Sequence, residues 1–156
     1  VEVLVMKALI VYDSVYGNTE RIARAIAEAI TPSNEVKVLR VGEANPAELK
    51  ATELLIVGSP THGGRPTPAV QALLNKVPEL SLKGVKVAAF DTRITKKLVG
   101  MFGYAAGRIA GNLKKKGGNL IASPEGFFAT GSKGPLKDGE LERAAGWAKG
   151  LLESKR

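Results

Sequence analysis

Between Tyr12 and Thr19 the chain reads YDSVYGNT. Ser14, Val15, Tyr16, Gly17, Asn18 and Thr19 gather three hydroxyls, one amide and one glycine, with no lysine or arginine, and Glu20 follows at once. An aliphatic run, ALIV, precedes this stretch, and Ile22, Ile26 and Ile30 recur after it at helical spacing. The pattern is strand, short polar loop, helix. The first turn of a helix presents free N–H groups and a partial positive charge, so the loop is a candidate anion site. Gly17 lets the backbone approach a ligand, and Ser14, Asn18 and Thr19 add side-chain donors. The triphosphate signature G-x-x-x-x-G-K-[ST] and the dinucleotide signature G-x-G-x-x-G are both missing here. What remains suits a compact phosphate monoester held by neutral donors. On this stretch alone an ordinary turn with a Thr or Asn cap explains the residues too.

Two more loops follow aliphatic runs: Ser59–Pro66, after LLIVGS, and Asp91–Lys97, after VKVAAFD. They hold the single histidine, His62, and the cations Arg65, Arg93, Lys96 and Lys97. A lone loop histidine is as ordinary a hydrogen-bonding residue as it is a proton donor. No His, Asp or Glu cluster has metal-ligand spacing, and Ser59 lacks the G-x-S-x-G setting of a hydrolase nucleophile. With no cysteine there is no disulfide, thiolate chemistry or iron–sulfur ligation.

The elements that must position these loops alternate along the chain. Strands are expected at 7–14, 35–41, 54–59, 85–91 and 119–129, the last with Pro124 as a candidate break. Helices are expected from Thr19 to Ile30, after the cap Asn45-Pro46-Ala47-Glu48, from Thr67-Pro68 to Val77, from Tyr104 to Lys116, and over 139–154 behind Asp138. Strict alternation calls for a parallel sheet covered by helices on both faces. Ligands then lie beyond the carboxyl ends of the strands, where strand order reverses, and the three loops should share that edge.

The length of 156 residues suits one domain, expected over 1–156, with Val1–Val5 read as an extension before Met6. No apolar run approaches a membrane span, and the absence of cysteine fits a cytoplasmic protein. The net charge is +8, unevenly placed. Residues 1–78 carry eight Lys/Arg and eight Asp/Glu, whereas residues 79–156 carry fifteen against seven. A basic half suggests an anionic partner. No basic stretch is interleaved with aromatics, so nucleic acid is not expected.

The stretch YDSVYGNTERIARAIAEAI resembles the phosphate loop and first helix of flavodoxins, LLIVGSPTHGGRP their second flavin loop, VAAFDTR the start of the third, and YAAGRIAGNLKKKGGNLI the helix and strand that follow. The resemblance runs over about residues 7–150 in the right order and is to the short-chain type. It implies an α/β, three-layer, doubly wound, five-stranded parallel sheet of order 2-1-3-4-5. It implies FMN as cofactor, with Ser14, Val15, Tyr16, Gly17, Asn18 and Thr19 around the 5′-phosphate. Pro60, Thr61, His62 and Gly63 would line the isoalloxazine, and Asp91, Thr92 and Arg93 would approach its pyrimidine side. A peptide near Gly63 and Gly64 would face flavin N5.

The sequence departs from the family in being basic and in lacking aromatics in the second loop. Phe102 and Tyr104 are read as packing in the core or at a helix start, and Trp147 as core. Cations at the flavin edge would make the final reduction potential less negative than in acidic flavodoxins. The expected function is electron transfer between redox partners, one with an acidic surface. The alternative is an FMN-dependent NAD(P)H:quinone-type oxidoreductase, with Arg65 and Arg93 receiving an anionic substrate. A cofactor-free binding module is the third reading. No membrane partner is expected.

Overall fold

The computed structural model describes residues 5–94 and 104–153. β1 (Lys7–Tyr12) is followed by α1 (Asn18–Ile30), β2 (Glu35–Arg40), α2 (Pro46–Lys50), β3 (Leu54–Pro60) and α3 (Pro68–Lys76). Then come β4 (Lys86–Arg93), α4 (Ala105–Lys115), β5 (Asn119–Leu120), β6 (Glu125–Phe128) and α5 (Glu140–Glu153). Every strand pair is parallel, and the order is β2-β1-β3-β4-β5. The chain turns from β1 to β2 on one side and returns to β3 on the other, so the order reverses between β1 and β3.

Among the described residues the sheet has six strands, not the expected five. The segment expected as one strand over 119–129 is two, because β5 pairs with Lys86–Val87 and β6 with Phe90–Arg93. Ile121 still donates to the Val87 carbonyl, and the chain leaves the ladder after it. Pro124 has no N–H to give to a ladder, so the break falls where the backbone cannot pair. The last helix opens at Glu140, and Asp138, expected to cap it, makes no capping hydrogen bond among the described residues.

Strand alternation divides the core. Ala8, Ile10, Leu54, Ile56, Ala88 and Phe90 face α1 and α5, while Leu9, Val11, Leu55, Val57, Val87 and Ala89 face α3 and α4. Such strands are apolar on both faces, which is why they read as continuous aliphatic runs. Gly58 sits opposite Phe90 in the β3–β4 register, and a Cβ there would lie 2.1 Å from the Phe90 ring. That ring meets Phe127 and Trp147 edge-on at 6.2 Å in each case, so Trp147 is a core-side residue, as expected.

The Asn45 capping box and the glycine stop after α4 are present as expected. Asn45 accepts from the Glu48 N–H at 3.1 Å while Glu48 accepts from the Asn45 N–H at 3.3 Å. After α4, Gly117 takes φ +102°, and Gly118 donates to the Leu113 carbonyl. Among the described residues, Leu80 is the one non-glycine at positive φ, +63°. A left-handed backbone costs an L-residue about 1–2 kcal/mol.

Candidate functional site

The carboxyl ends of β1, β3 and β4 do share one edge, and a cleft of about 210 Å³ opens there. Its walls come from Val15, Tyr16, Asn18 and Thr19 of the first loop and Pro60, Thr61 and His62 of the second. Thr92, Arg93 and Ile94 supply a third wall. Of the residues expected to bind, Ser14, Gly17, Gly63 and Asp91 do not line it. Lys96, Lys97 and Phe102 lie outside the described residues.

The first loop is held by its own polar groups. The Ser14 hydroxyl accepts from the Gly17 N–H at 3.0 Å and the Glu20 N–H at 3.3 Å, so it shapes the loop. Gly17 takes φ +93°, a conformation that glycine adopts at no steric cost. Among the described residues, the N–H groups of Val15, Tyr16, Asn18 and Thr19 donate to no protein acceptor. Four donors left open at the head of a 13-residue helix form a site for negative charge. Thr19 is 1% exposed, and its hydroxyl bonds the Thr92 hydroxyl at 2.8 Å, joining the first loop to the end of β4.

From outside, Arg40 at the end of β2 donates to the Ser14 carbonyl at 3.0 Å and pairs with Glu20 at 3.3 Å. Glu20 also takes the Arg24 guanidinium, which holds its carboxyl below the usual range. Burial, together with the Glu20 charge, pushes the Tyr12 phenol up, so Tyr12 stays neutral. Asp13 accepts from the Thr67 hydroxyl at 2.6 Å, tying the first loop to the start of α3.

The second loop is a tight hairpin. His62 and Arg65 exchange two backbone bonds at 2.9 and 3.0 Å across Gly63 and Gly64, whose φ values are +57° and +79°. Both central residues at positive φ make this a glycine turn. The Gly64 carbonyl is taken by Arg108 Nε at 2.8 Å. His62 and Gly63 are exposed, while the Thr61 hydroxyl accepts from the Ala105 N–H. Ser59 is fully buried, with its hydroxyl bonded to the Pro60 carbonyl and the Thr67 N–H, so it is no nucleophile.

The third wall corrects a sequence expectation. Arg93 is not a free cation at the cleft. Its Nε and a terminal nitrogen meet both oxygens of Asp91 at 2.7 and 2.8 Å, and Asp91 is fully buried. The Ala106 N–H completes the carboxylate at 2.9 Å. The guanidinium lies 3.5 Å from the centre of the Tyr104 ring. Tyr104 therefore packs at the start of α4, as expected, and does not line the cleft.

Sequence reasoning missed Ala129, Gly131 and Ser132, which close the cleft from the loop after β6. The rule that ligands lie beyond strand ends applies to that strand as well and would have found them. The same loop sets Gly134 against the Asn18 amide, where a Cβ would come within 2.6 Å.

The residues fit a phosphoester with a flat ring system: open N–H donors at one end, and Pro60, Thr61 and His62 at the other. The chain is similar to a flavodoxin of Clostridium saccharobutylicum, 33% identical over 89 residues, covering 56% of each protein. It is also similar to an NAD(P)H dehydrogenase (quinone) of Gluconacetobacter diazotrophicus, 29% identical over 114 residues, covering 57% of each. The chain thus spans little more than half the length of these two relatives. The crystal structure of oxidised Flavodoxin 2 from Bacillus cereus superposes with a TM-score of 0.80 at 25% identity, covering 94% of this chain and 98% of that one. The flavodoxin family model matches residues 10–147, and the chain belongs to the flavodoxin family, whose proteins bind FMN.

Proposed function

We propose that this chain is an FMN-binding electron carrier that holds the cofactor phosphate on the N–H groups of Val15, Tyr16, Asn18 and Thr19. The observation that carries the reading is those four open donors at the head of α1, facing a cleft walled by the loops after β3 and β4. FMN, when bound, supplies one- and two-electron redox chemistry. The protein's part is to bind, orient and tune.

Ser14 and Arg40 hold the first loop in shape, so little ordering is left to be done when an anion arrives. Thr19 and Thr92 fix the spacing between the phosphate end and the third wall. Pro60, Thr61 and His62 offer a surface for the ring, and Arg108 pins the hairpin peptide that a flavin edge would meet. Gly63 and Gly64 leave that hairpin free of side chains. Arg93, its charge offset by the buried Asp91, meets the pyrimidine side. The whole chain is read as one domain acting in the cytoplasm, with a redox partner that meets it at the cleft end.

Titration of apoprotein tests the site. FMN should bind at least about a hundredfold tighter than riboflavin, because charge-assisted bonds to the phosphate are the strong ones. Gly17→Ala should weaken FMN alone. Equal affinities for FMN and riboflavin would refute the phosphate assignment. A second reading, direct reduction by NAD(P)H with a quinone as acceptor, is favoured by the similarity to the Gluconacetobacter enzyme. Consumption of NAD(P)H by the purified protein with a quinone alone would establish it.

A further inference from the structure

The molecule has a charged pole far from the cleft. Lys76, Lys83, Lys86, Lys114, Lys115 and Lys116 fall within residues 76–86 and 113–119, against the single acid Glu79. Hydrogen bonds bring the two stretches together. The Leu82 N–H donates to the Lys116 carbonyl at 3.0 Å, and Lys116 Nζ donates to the Val77 carbonyl at 2.6 Å. Gly117 lies against the turn so closely that a Cβ would come 3.1 Å from both Leu80 Cα and Lys83 N. Lys76, Lys83, Lys114 and Lys115 are exposed. Among the described residues, none of the six lysines takes part in an ion pair.

In the middle of this pole stands Leu80, 66% exposed and at φ +63°. Glycine or asparagine would make the same turn with less strain. At 66% exposure the leucine adds little burial in return. The backbone thus carries a left-handed cost at a side chain that lies mostly in solvent, and strain of this kind is where use by something outside is looked for.

We propose that this pole docks on a bilayer rich in anionic lipid, with Leu80 entering the boundary between headgroups and acyl chains and the lysines meeting lipid phosphates. Each Lys or Arg near an anionic surface contributes attraction, and burying an apolar side chain adds a favourable contribution smaller than that of the lysines together. The pole is a turn ringed by lysines, of which Lys76, Lys83, Lys114 and Lys115 are exposed and Lys116 is turned to the Val77 carbonyl. A fluid headgroup layer needs no matching shape, whereas a folded acidic protein would need a pocket for the leucine. Nucleic acid has no use for that leucine, and residues 76–86 and 113–119 contain no aromatic for stacking. β4 runs from Lys86 at the pole to Arg93 at the cleft, roughly 23 Å at strand rise. Docking would thus hold the cleft away from the bilayer, open to a partner. The inference does not rest on the FMN reading.

The test is co-sedimentation of the full chain with vesicles of phosphatidylglycerol and phosphatidylcholine, and with phosphatidylcholine alone. Binding is expected only to the anionic vesicles, and raising sodium chloride from about 0.05 to 0.5 M should weaken it at least tenfold. Leu80→Gly and Leu80→Asn should bind about tenfold more weakly while melting at a higher temperature, because they relieve the left-handed leucine. Loss of binding in a more stable variant cannot be ascribed to unfolding. Absence of binding to anionic vesicles at low salt would overturn the proposal. So would equal binding by wild type and both Leu80 variants. Soluble polyaspartate or duplex DNA bound as tightly as the vesicles, with no effect of Leu80, would assign the pole to an acidic protein or a nucleic acid instead.

Discussion

Replacing Asp91 with asparagine probes how the third wall of the cleft is held. The Asp91 carboxylate is fully buried and receives three N–H donors, two from Arg93 at 2.7 and 2.8 Å and one from Ala106 at 2.9 Å. One oxygen takes Arg93 Nε alone, and the other takes both remaining donors. An asparagine has one acceptor oxygen and one NH₂ group. Whichever way the amide turns, its NH₂ faces at least one of those donors. An unsatisfied buried donor costs about 1–3 kcal/mol, and a charge left without its counter-ion costs more. Arg93 has a side chain only 16% exposed, so solvent screens it little. Together these put Asp91→Asn at about 3–5 kcal/mol, the range for breaking a buried pair from one side.

Urea unfolding of the apoprotein, with the slope unchanged, measures the loss. The double variant Asp91→Leu with Arg93→Met removes both charges and should cost less than Asp91→Asn alone, because no uncompensated charge remains and only the Ala106 N–H loses its acceptor. The same single variant loosens the contact between Arg93 and the carboxylate that holds the third wall, so FMN affinity should fall with stability. A loss below about 1 kcal/mol for Asp91→Asn, or a double variant worse than the single, would refute the reasoning.

Glu140 accepts from Arg143 and from the Phe128 N–H, and Arg143 also reaches Glu125 and the Gly126 carbonyl. The Arg143 guanidinium holds the Glu140 carboxyl below its ordinary value of 4.5. Its stabilisation is therefore present above that pH and is lost as pH falls through the lower folded value. Urea midpoints measured on the acid side should drop more steeply for wild type than for Glu140→Gln. Gly58→Ala places a Cβ 2.1 Å from the Phe90 ring and should destabilise by about 3 kcal/mol in thermal melts, and by less in a Phe90→Leu background. Thr19→Val and Thr92→Val should each cost about 1 kcal/mol, and the pair should cost well under their sum, since either change breaks the same hydroxyl bond.

Much of this architecture is legible in the sequence because it rests on local rules. The aliphatic runs of β1, β3 and β4 announce strands buried on both faces, and the Asn45–Glu48 box announces α2 before any contact is known. The open N–H groups before Thr19 follow from one glycine and one helix start. Other features are tertiary and leave no local trace. Ser14 looks like a ligand donor until its hydroxyl is seen bonded to the Gly17 and Glu20 N–H groups. Thr19 looks exposed until Thr92 covers it. The left-handed Leu80 has no signature, because nothing about Pro78-Glu79-Leu80-Ser81 demands positive φ at leucine. The ion pair of Asp91 with Arg93 was within reach, since residues two apart on a strand share a face.

That ion pair changes what the charge pattern means. Read along the chain, Asp91, Arg93, Lys96, Lys97 and Arg65 suggest a cationic rim that would favour an electron-rich flavin. In the fold, Arg93 and Asp91 cancel over 2.7 Å, and Arg65 is exposed, where water and salt reduce its reach. Among the described residues, six lysines without an ion pair gather around Leu80, at the opposite ends of the strands. Much of the described basic half of the sequence is then a polarity of the molecule, while Lys133 stays beside Tyr16 at the cleft end, 6.0 Å from its ring. Such a polarity acts through orientation and encounter, which salt alters strongly. A reduction potential answers to groups close to the ring. Salt should therefore change the rate at which this protein meets a partner far more than it changes its potential, and stopped-flow rates beside potentiometric titrations over one salt series would separate the two. A potential that moved in step with the rate would place the effective cations back at the cleft.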